Sequence, residues 1–371
     1  MGAGGAHRRR HRHLRPGPGP HHRGHPARRR PVASPRGAGA HRQRPRTPGG
    51  YRPRPPTKGD SPHTPPFAPE VADVVDSYLS CEFATLAADG TPMAWPTAAR
   101  RDPDTGHLLV TTSLAYAQKA RNVRRDGRVG LLFSDPTGSG LEAPPQVFVS
   151  GTATCPERIH TAPDEAAEYW RTLLVRQPHS RGFLRPPGRW LMDWYYMRLF
   201  ITVVPDRVEV RPPLAGQLDG AAPRGPVPAP GPLGAALVQE FPSAVLGAPG
   251  ADGEPLLARV RPTATAEGFA VQAPEGAVPG RAALLVHRHD EALDGMRNAS
   301  VRGALRADGD RWLLVPDRVV EPMGGGRPSD TFRILRDARR ATARYLRARG
   351  LARPRIAWDR FLELVPEQGR G

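Results

Sequence analysis

The sequence predicts a mainly β protein with flanking helices (α+β), a small antiparallel barrel present in two tandem copies behind a basic tail. Three observations carry that expectation. Short strand-like runs alternate with turn signals from Phe67 onward. Landmarks of the first half return in the same order in the second. The charge is concentrated in the first 65 residues, and the remainder has a globular composition.

Residues 1–65 hold 16 of the 54 Lys and Arg and a single acid, Asp60, which leaves 38 basic against 35 acidic residues elsewhere. The formal charge of +18 therefore describes the tail rather than the folded part. Arg, Pro, Gly and His dominate residues 1–66, and so few apolar side chains cannot offset chain entropy, so disorder is expected there. A solvated arm, or residues translated from an over-extended start, is the plain reading; non-specific nucleic-acid binding is the alternative. Eight of the 13 histidines lie in this tail without metal-ligand spacing. No secretory core or bilayer-spanning run is present, so no membrane partner is expected. Cys81 and Cys155 are far apart and form no metal pattern, which favours a reduced, cytoplasmic protein.

The first folded domain is expected over 67–210. "PEVADVVDSYLS" places Val71, Val74, Val75, Tyr78 and Leu79 at helical spacing. "EFATLAADGTPMAWPTAARRD" reads as a hairpin around an Asp-Gly turn, and "GHLLVTT" as the next strand. "SLAYAQKARNVRRDG" reads as a helix from about Leu114 to Arg125, capped by Ser113, with Tyr116, Ala120 and Val123 toward the core. Two strands, "RVGLLFSD" and "PQVFVSGTAT", precede the helix "PDEAAEYWRTLLVR". The aromatic run around Trp190, Trp194, Tyr195 and Tyr196 reads as core, and "RLFITVVPDRVEV" as the closing strand.

A Pro/Gly linker is expected over 211–232, a degenerate second barrel over 233–322 and a helical segment over 323–371. "ADGTP" at Ala88 returns as "ADGEP" at Ala251, "RVGLLFS" at Arg128 as "RAALLVH" at Arg281, and "VSG" at Val149 as "VRG" at Val301. Where the first copy has its Lys-bearing helix, the second has only "QAPEGAVPG". "MGGGRP" lacks the Lys-Ser/Thr of a phosphate loop and reads as a hinge. The last helix, capped by Ser329 or Asp330, carries Ile334, Leu335, Ala338, Tyr345 and Leu346 on one side and arginines, read as a solvated face, on the other.

Arg124 and Arg125 complement a helix C-terminus. Lys119 lies too early for that, and its side chain leans back toward the helix start, where the Thr111 and Thr112 hydroxyls end a strand. Hydroxyls, free backbone N–H groups and one ammonium suit a phosphate; an ordinary exposed lysine is the competing reading. The Gln146 amide could read the edge of a heterocycle or merely edge a strand. No Ser/His/Asp set, carboxylate pair or zinc pattern occurs, so redox chemistry would have to come from a cofactor.

The series "FATLAADGTPMAWPTAARRDPDTGHLLVTT", "QKARNVRRDGRVGLLFSDP", "QVFVSGTAT" and "FITVVPDRVEV" resembles the pyridoxamine 5'-phosphate oxidase-like FMN-binding split barrels, the flavin/deazaflavin oxidoreductase superfamily. The resemblance implies FMN at a dimer interface, with deazaflavin or haem as alternatives. It places phosphate contacts at Thr111, Thr112, Gln118 and Lys119, a flavin contact at Gln146, and the ring beside the strand containing Pro96, Thr97 and Ala98. Two barrels in one chain would form a covalent pseudo-dimer with one site, itself a monomer or a homodimer. The implied function is a flavin-dependent oxidoreductase of a small molecule. The alternatives are a non-catalytic flavin, deazaflavin or haem binder, or a nucleic-acid-associated protein acting through its Arg-rich tail and C-terminal helix. The chain departs from true pyridoxamine phosphate oxidases after Val210, where "RPPLAG" replaces their basic substrate segment, so pyridoxal phosphate synthesis is not expected.

Overall fold

The computed structural model describes residues 66–214, 228–309, 311–323 and 328–366, the side chains of 321–331 excepted. The basic tail through residue 65, most of the Pro/Gly linker, the glycines of "MGGGRP" and the expected Ser329 or Asp330 cap lie outside that description.

Helix α1 (Pro69–Ser77) leads into the hairpin β1 (Cys81–Leu86) and β2 (Pro92–Thr97), followed by β3 (Ala99–Arg101) and β4 (Leu108–Ser113). Helix α2 (Gln118–Arg125), β5 (Arg128–Phe133), β6 (Gln146–Thr154) and α3 (Ala167–Arg176) come next. Two short helices, α4 (Gly188–Leu191) and α5 (Asp193–Tyr196), precede β7 (Arg198–Arg211). The second copy runs through α6 (Ala235–Gln239), β8 (Ala244–Pro249), β9 (Pro255–Val260), β10 (Thr263–Ala264), β11 (Phe269–Val271), β12 (Gly280–Arg288), β13 (Arg297–Asp308) and β14 (Arg311–Met323). Helices α7 (Pro328–Arg347) and α8 (Trp358–Glu363) close the described chain.

The strands form two seven-stranded antiparallel sheets. The first is ordered β2-β1-β5-β6-β7-β4-β3 and the second β9-β8-β12-β13-β14-β11-β10, so each strand is matched by the one seven places later. The fold is therefore mainly β with flanking helices, a split barrel in two tandem copies. The expected repeat is real, and it extends to details that the three landmarks did not include. Val204–Val208 and Val315–Val319 both read VPDRV. In each copy the proline faces a glycine across a register break, Pro205 opposite Gly151 and Pro316 opposite Gly303. A bulge is where a strand tolerates proline, because no ladder hydrogen bond is asked of it.

Each copy has its own core. Phe83, Leu108, Val110, Leu131, Val149 and Ile201 fill the first, and Leu246, Phe269, Leu284, Val301 and Leu314 the second. A shared apolar layer joins them, with Ala84, Leu132 and Phe148 against Val245, Leu256, Leu257 and Leu285. Beside that layer the carboxylate of Glu82 meets Arg259 at 2.6 Å and His287 at 2.7 Å, all three buried. The C-terminal segment returns to the first copy. Tyr345 and Leu346 of α7 enter its core, and Phe361 of α8 packs edge-on to Trp170 and Tyr196.

The helix expected from Leu114 begins later. A 3-10 turn covers Leu114–Tyr116, α2 starts at Gln118, and Ser113 makes no capping bond. Arg124 binds the carbonyls of Cys155 and Pro156 and the hydroxyl of Tyr345, which staples α2 to the end of β6 and to α7. Cys81 and Cys155 are buried free thiols. Among the described residues no helix is long and apolar enough to cross a membrane.

Candidate functional site

A cavity of about 510 Å³ opens where β4 hands over to α2. Seven of the eight residues expected at a cofactor line it: Pro96, Thr97 and Ala98 at the end of β2, Thr111 and Thr112 on β4, and Gln118 and Lys119 at the start of α2. Because α2 begins only at Gln118, Lys119 stands in its first turn, next to backbone N–H groups that have no intrahelical acceptor.

Lys119 is no ordinary exposed lysine. It is 9% exposed, makes no ion pair among the described residues, and lies over the Trp95 ring at 5.6 Å. Burial, and then the nearby Arg198 cation, push its ammonium down to about 8. Arg198 was not foreseen. It opens β7 directly opposite Ser113, stacks on Tyr195 at 4.1 Å, and holds its Nε and Nη2 buried without a hydrogen bond. Ser113 Oγ and Trp194 Nε1, on the same cavity, are equally without partners.

The remaining polar groups are partly engaged. Thr111 donates to the Tyr169 hydroxyl at 3.1 Å, and Thr112 donates to the Tyr116 carbonyl at 3.0 Å. Gln118 is bonded to Asn122 and Arg121 on its own helix, so it lines the cavity with its amide already occupied. Tyr116, expected in the core, instead lines the cavity edge-on to Trp194. The aromatic run divides: Trp190 is 62% exposed, Trp194 and Tyr195 line the cavity, and Tyr196 alone packs deep in the core, stacked on Trp170.

Gln146 is the exception. It does not line the cavity; its amide donates to the Pro212 carbonyl at 2.9 Å and so ties down the end of β7. The second copy supplies the reason. Aligning VSG with VRG puts Asn298 at the position of Gln146, and Asn298 does line the cavity, with Leu293 and Met296. The site is thus built from both copies: the first gives the cations and hydroxyls, and the second gives the amide. Ile334 of α7 completes the wall.

The matching location on the other side is different in kind. Aligning ADGTP with ADGEP puts Arg259 at the position of Pro96 and Ser243 at that of Ser80. Both line a second cavity of about 580 Å³. The Arg259 guanidinium is saturated there by Glu82, Ser134 and Ser243. No helix follows β11, so Lys119 has no counterpart.

No family model matches the chain, and no curated protein does. Solved structures similar to it include a pyridoxamine 5'-phosphate oxidase-type protein from Listeria innocua, 14% identical, covering 38% of this chain and 94% of its own with a TM-score of 0.26. An F420 reductase is 22% identical over 37% of this chain and 93% of its own, with a TM-score of 0.26. The haem storage protein HutZ from Vibrio cholerae is 14% identical over 38% and 93%, with a TM-score of 0.27. Likeness at this level decides nothing about function, and the fold rests on the strand order itself.

Proposed function

We propose that the cavity binds a phosphate-bearing flavin, FMN before a deazaflavin, and that the protein is a flavin-dependent oxidoreductase of a small molecule. One observation carries the reading: Lys119 and Arg198 are buried cations on one cavity, with unpartnered donors at Ser113 and Trp194 beside them. Donors without acceptors in a low-dielectric pocket are costly, and a phosphate dianion is the acceptor-rich group that relieves them. The apolar lining residues Trp95, Pro96, Ala98 and Leu293 suit an aromatic ring, and the Asn298 amide suits its polar edge. The lining contains no histidine or cysteine, the commonest protein ligands of haem after which only Met296 and tyrosines remain.

Within this reading, Lys119 and Arg198 hold the phosphate, the Tyr169 and Ser113 hydroxyls orient it, and the second copy's loop screens the ring from water. The flavin, when bound, supplies the hydride or electron transfer. The absorbance spectrum of the purified protein tests the reading, together with titration of added FMN and deazaflavin. A flavin spectrum that is lost in Lys119→Ala supports it. A colourless protein that binds neither cofactor rejects it.

A further inference from the structure

Helix α7 carries a second, separate positive feature. Along its 20 residues, Arg333, Arg336, Arg340, Arg344 and Arg347 fall within one narrow arc of the helix surface, and all five are exposed. At 1.5 Å per residue they make a stripe about 21 Å long. The opposite side of the helix is buried through Ala338, Tyr345 and Leu346, so the arc is held outward.

Four other arginines on this segment are engaged, while Arg355 is exposed beyond the end of the helix. Arg339 donates to the Trp190 carbonyl at 2.7 Å, Arg349 meets Glu157 at 3.4 Å, Arg353 meets Asp193 at 2.6 Å, and Arg360 pairs with Asp164. Arg340, Arg344 and Arg347 make no ion pair or side-chain hydrogen bond with the described residues. Among the residues whose side chains are described, Asp337 is the one acid beside the arc, and Arg336 takes it at 3.1 Å. Arg340, Arg344 and Arg347, spaced four and three residues apart, repel one another along the helix, and an anion lying on them relieves that repulsion.

We infer that this stripe is a docking surface for the phosphate backbone of a nucleic-acid duplex, independent of the cavity. The arc is straight and regularly charged, matching a polyanion rather than a single acidic group. One exposed apolar side chain, Phe332, borders it at the first turn, about 40° from Arg336, which is too little apolar surface to hold a helix in a lipid layer. Contact through arginine to phosphate is sequence-independent, so the expected recognition is non-specific and salt-sensitive.

The test uses the full-length protein and a mixed-sequence DNA duplex of about 20 base pairs, with affinity read by fluorescence anisotropy over a salt series. The triple variant Arg340→Gln, Arg344→Gln, Arg347→Gln is compared with a tail variant of equal charge, Arg8→Gln, Arg9→Gln, Arg10→Gln. The helix variant is expected to lower the slope of log affinity against log salt by about 2 to 3, and the tail variant by less than about 1. Arg→Lys at the same three helix positions guards against misfolding and should keep the slope. An unchanged slope in the helix variant, or a loss confined to the tail variant, overturns the inference. So does loss of binding to phosphatidylserine vesicles with DNA affinity intact.

Discussion

Lys119 and Arg198 come from different elements, α2 and β7, yet line one cavity, and neither is paired with a carboxylate among the described residues. The arrangement costs the unliganded protein stability. Unfolded, Lys119 would titrate near 10.5; folded, it titrates at about 8. Between those values the unfolded chain binds more protons than the folded one, so the penalty is complete below pH 8 and fades as pH rises toward 10.5. Replacement of Lys119 by Met should therefore stabilise the ligand-free protein at pH 7, by up to roughly 3 kcal/mol, with the advantage gone near pH 10. Thermal unfolding of both proteins at the two pH values checks the sign.

The same titration governs anion binding. A phosphate needs the ammonium, and in the ligand-free protein the ammonium is half lost at about pH 8. FMN affinity should fall as pH rises beyond that point, by up to about tenfold per unit, with proton uptake on binding. Lys119→Arg, whose cation does not titrate in this range, should flatten the dependence. Quenching of flavin fluorescence, measured between pH 7 and 9.5, reads both.

Asn298 and Gln146 should behave oppositely when truncated. Asn298→Ala removes an amide from the cavity wall and should weaken cofactor binding several-fold with little change in melting temperature. Gln146→Ala frees the Pro212 carbonyl at the end of β7 and should cost about 1 kcal/mol of stability while leaving binding intact. Parallel titrations and melts of the two variants separate these outcomes.

The pair also shows what was legible in the sequence. The Lys-bearing helix, the Thr-ended strand and the β2 edge were readable because each is local, and the structure brings them onto one cavity. Gln146 lies off the cavity lining, because which copy's strand reaches the cavity is a long-range fact. The repeat offset that relates VSG to VRG already pointed to Asn298. Arg198 was less visible: it sits in an aromatic run that reads as core, and only the pairing of β4 with β7 sets it opposite Ser113. The helix start was misjudged because Ser113 completes a strand before it can cap anything.

The bulge glycines make a prediction that tests the repeat itself. A Cβ on Gly151 would lie 2.4 Å from the Val204 carbonyl oxygen, and one on Gly303 would lie 2.0 Å from that of Val315. In both places the obstacle is backbone, which cannot swing aside. Gly151→Ala and Gly303→Ala should each destabilise by roughly 2 to 3 kcal/mol, and chemical denaturation should show the two losses alike.

A buried ion pair crosses between the copies beside their shared apolar layer. Glu82 of the first copy is fully buried, and its oxygens take Arg259 and His287 of the second and Ser134 of its own. Burial pushes this carboxyl up, but Arg259 and then His287 pull it down further, and it stands below its ordinary 4.5. The pair's contribution is therefore present above the unfolded carboxylate value and is lost as pH falls through the folded one, so acid should loosen this junction first. Replacing Glu82 with Gln keeps the shape but removes the carboxylate that touches the Arg259 guanidinium and leaves only Asp135 near it, a loss toward the lower end of about 3 to 5 kcal/mol. The double replacement Glu82→Leu, Arg259→Leu removes both charges and should recover part of that loss, because the apolar layer lies alongside the pair while Ser134, Ser243 and His287 lose the bonds they make to it. Denaturation of wild type, single and double variants at neutral pH closes the cycle; a double variant no more stable than the single one would mean that the junction needs its charges for shape rather than for balance.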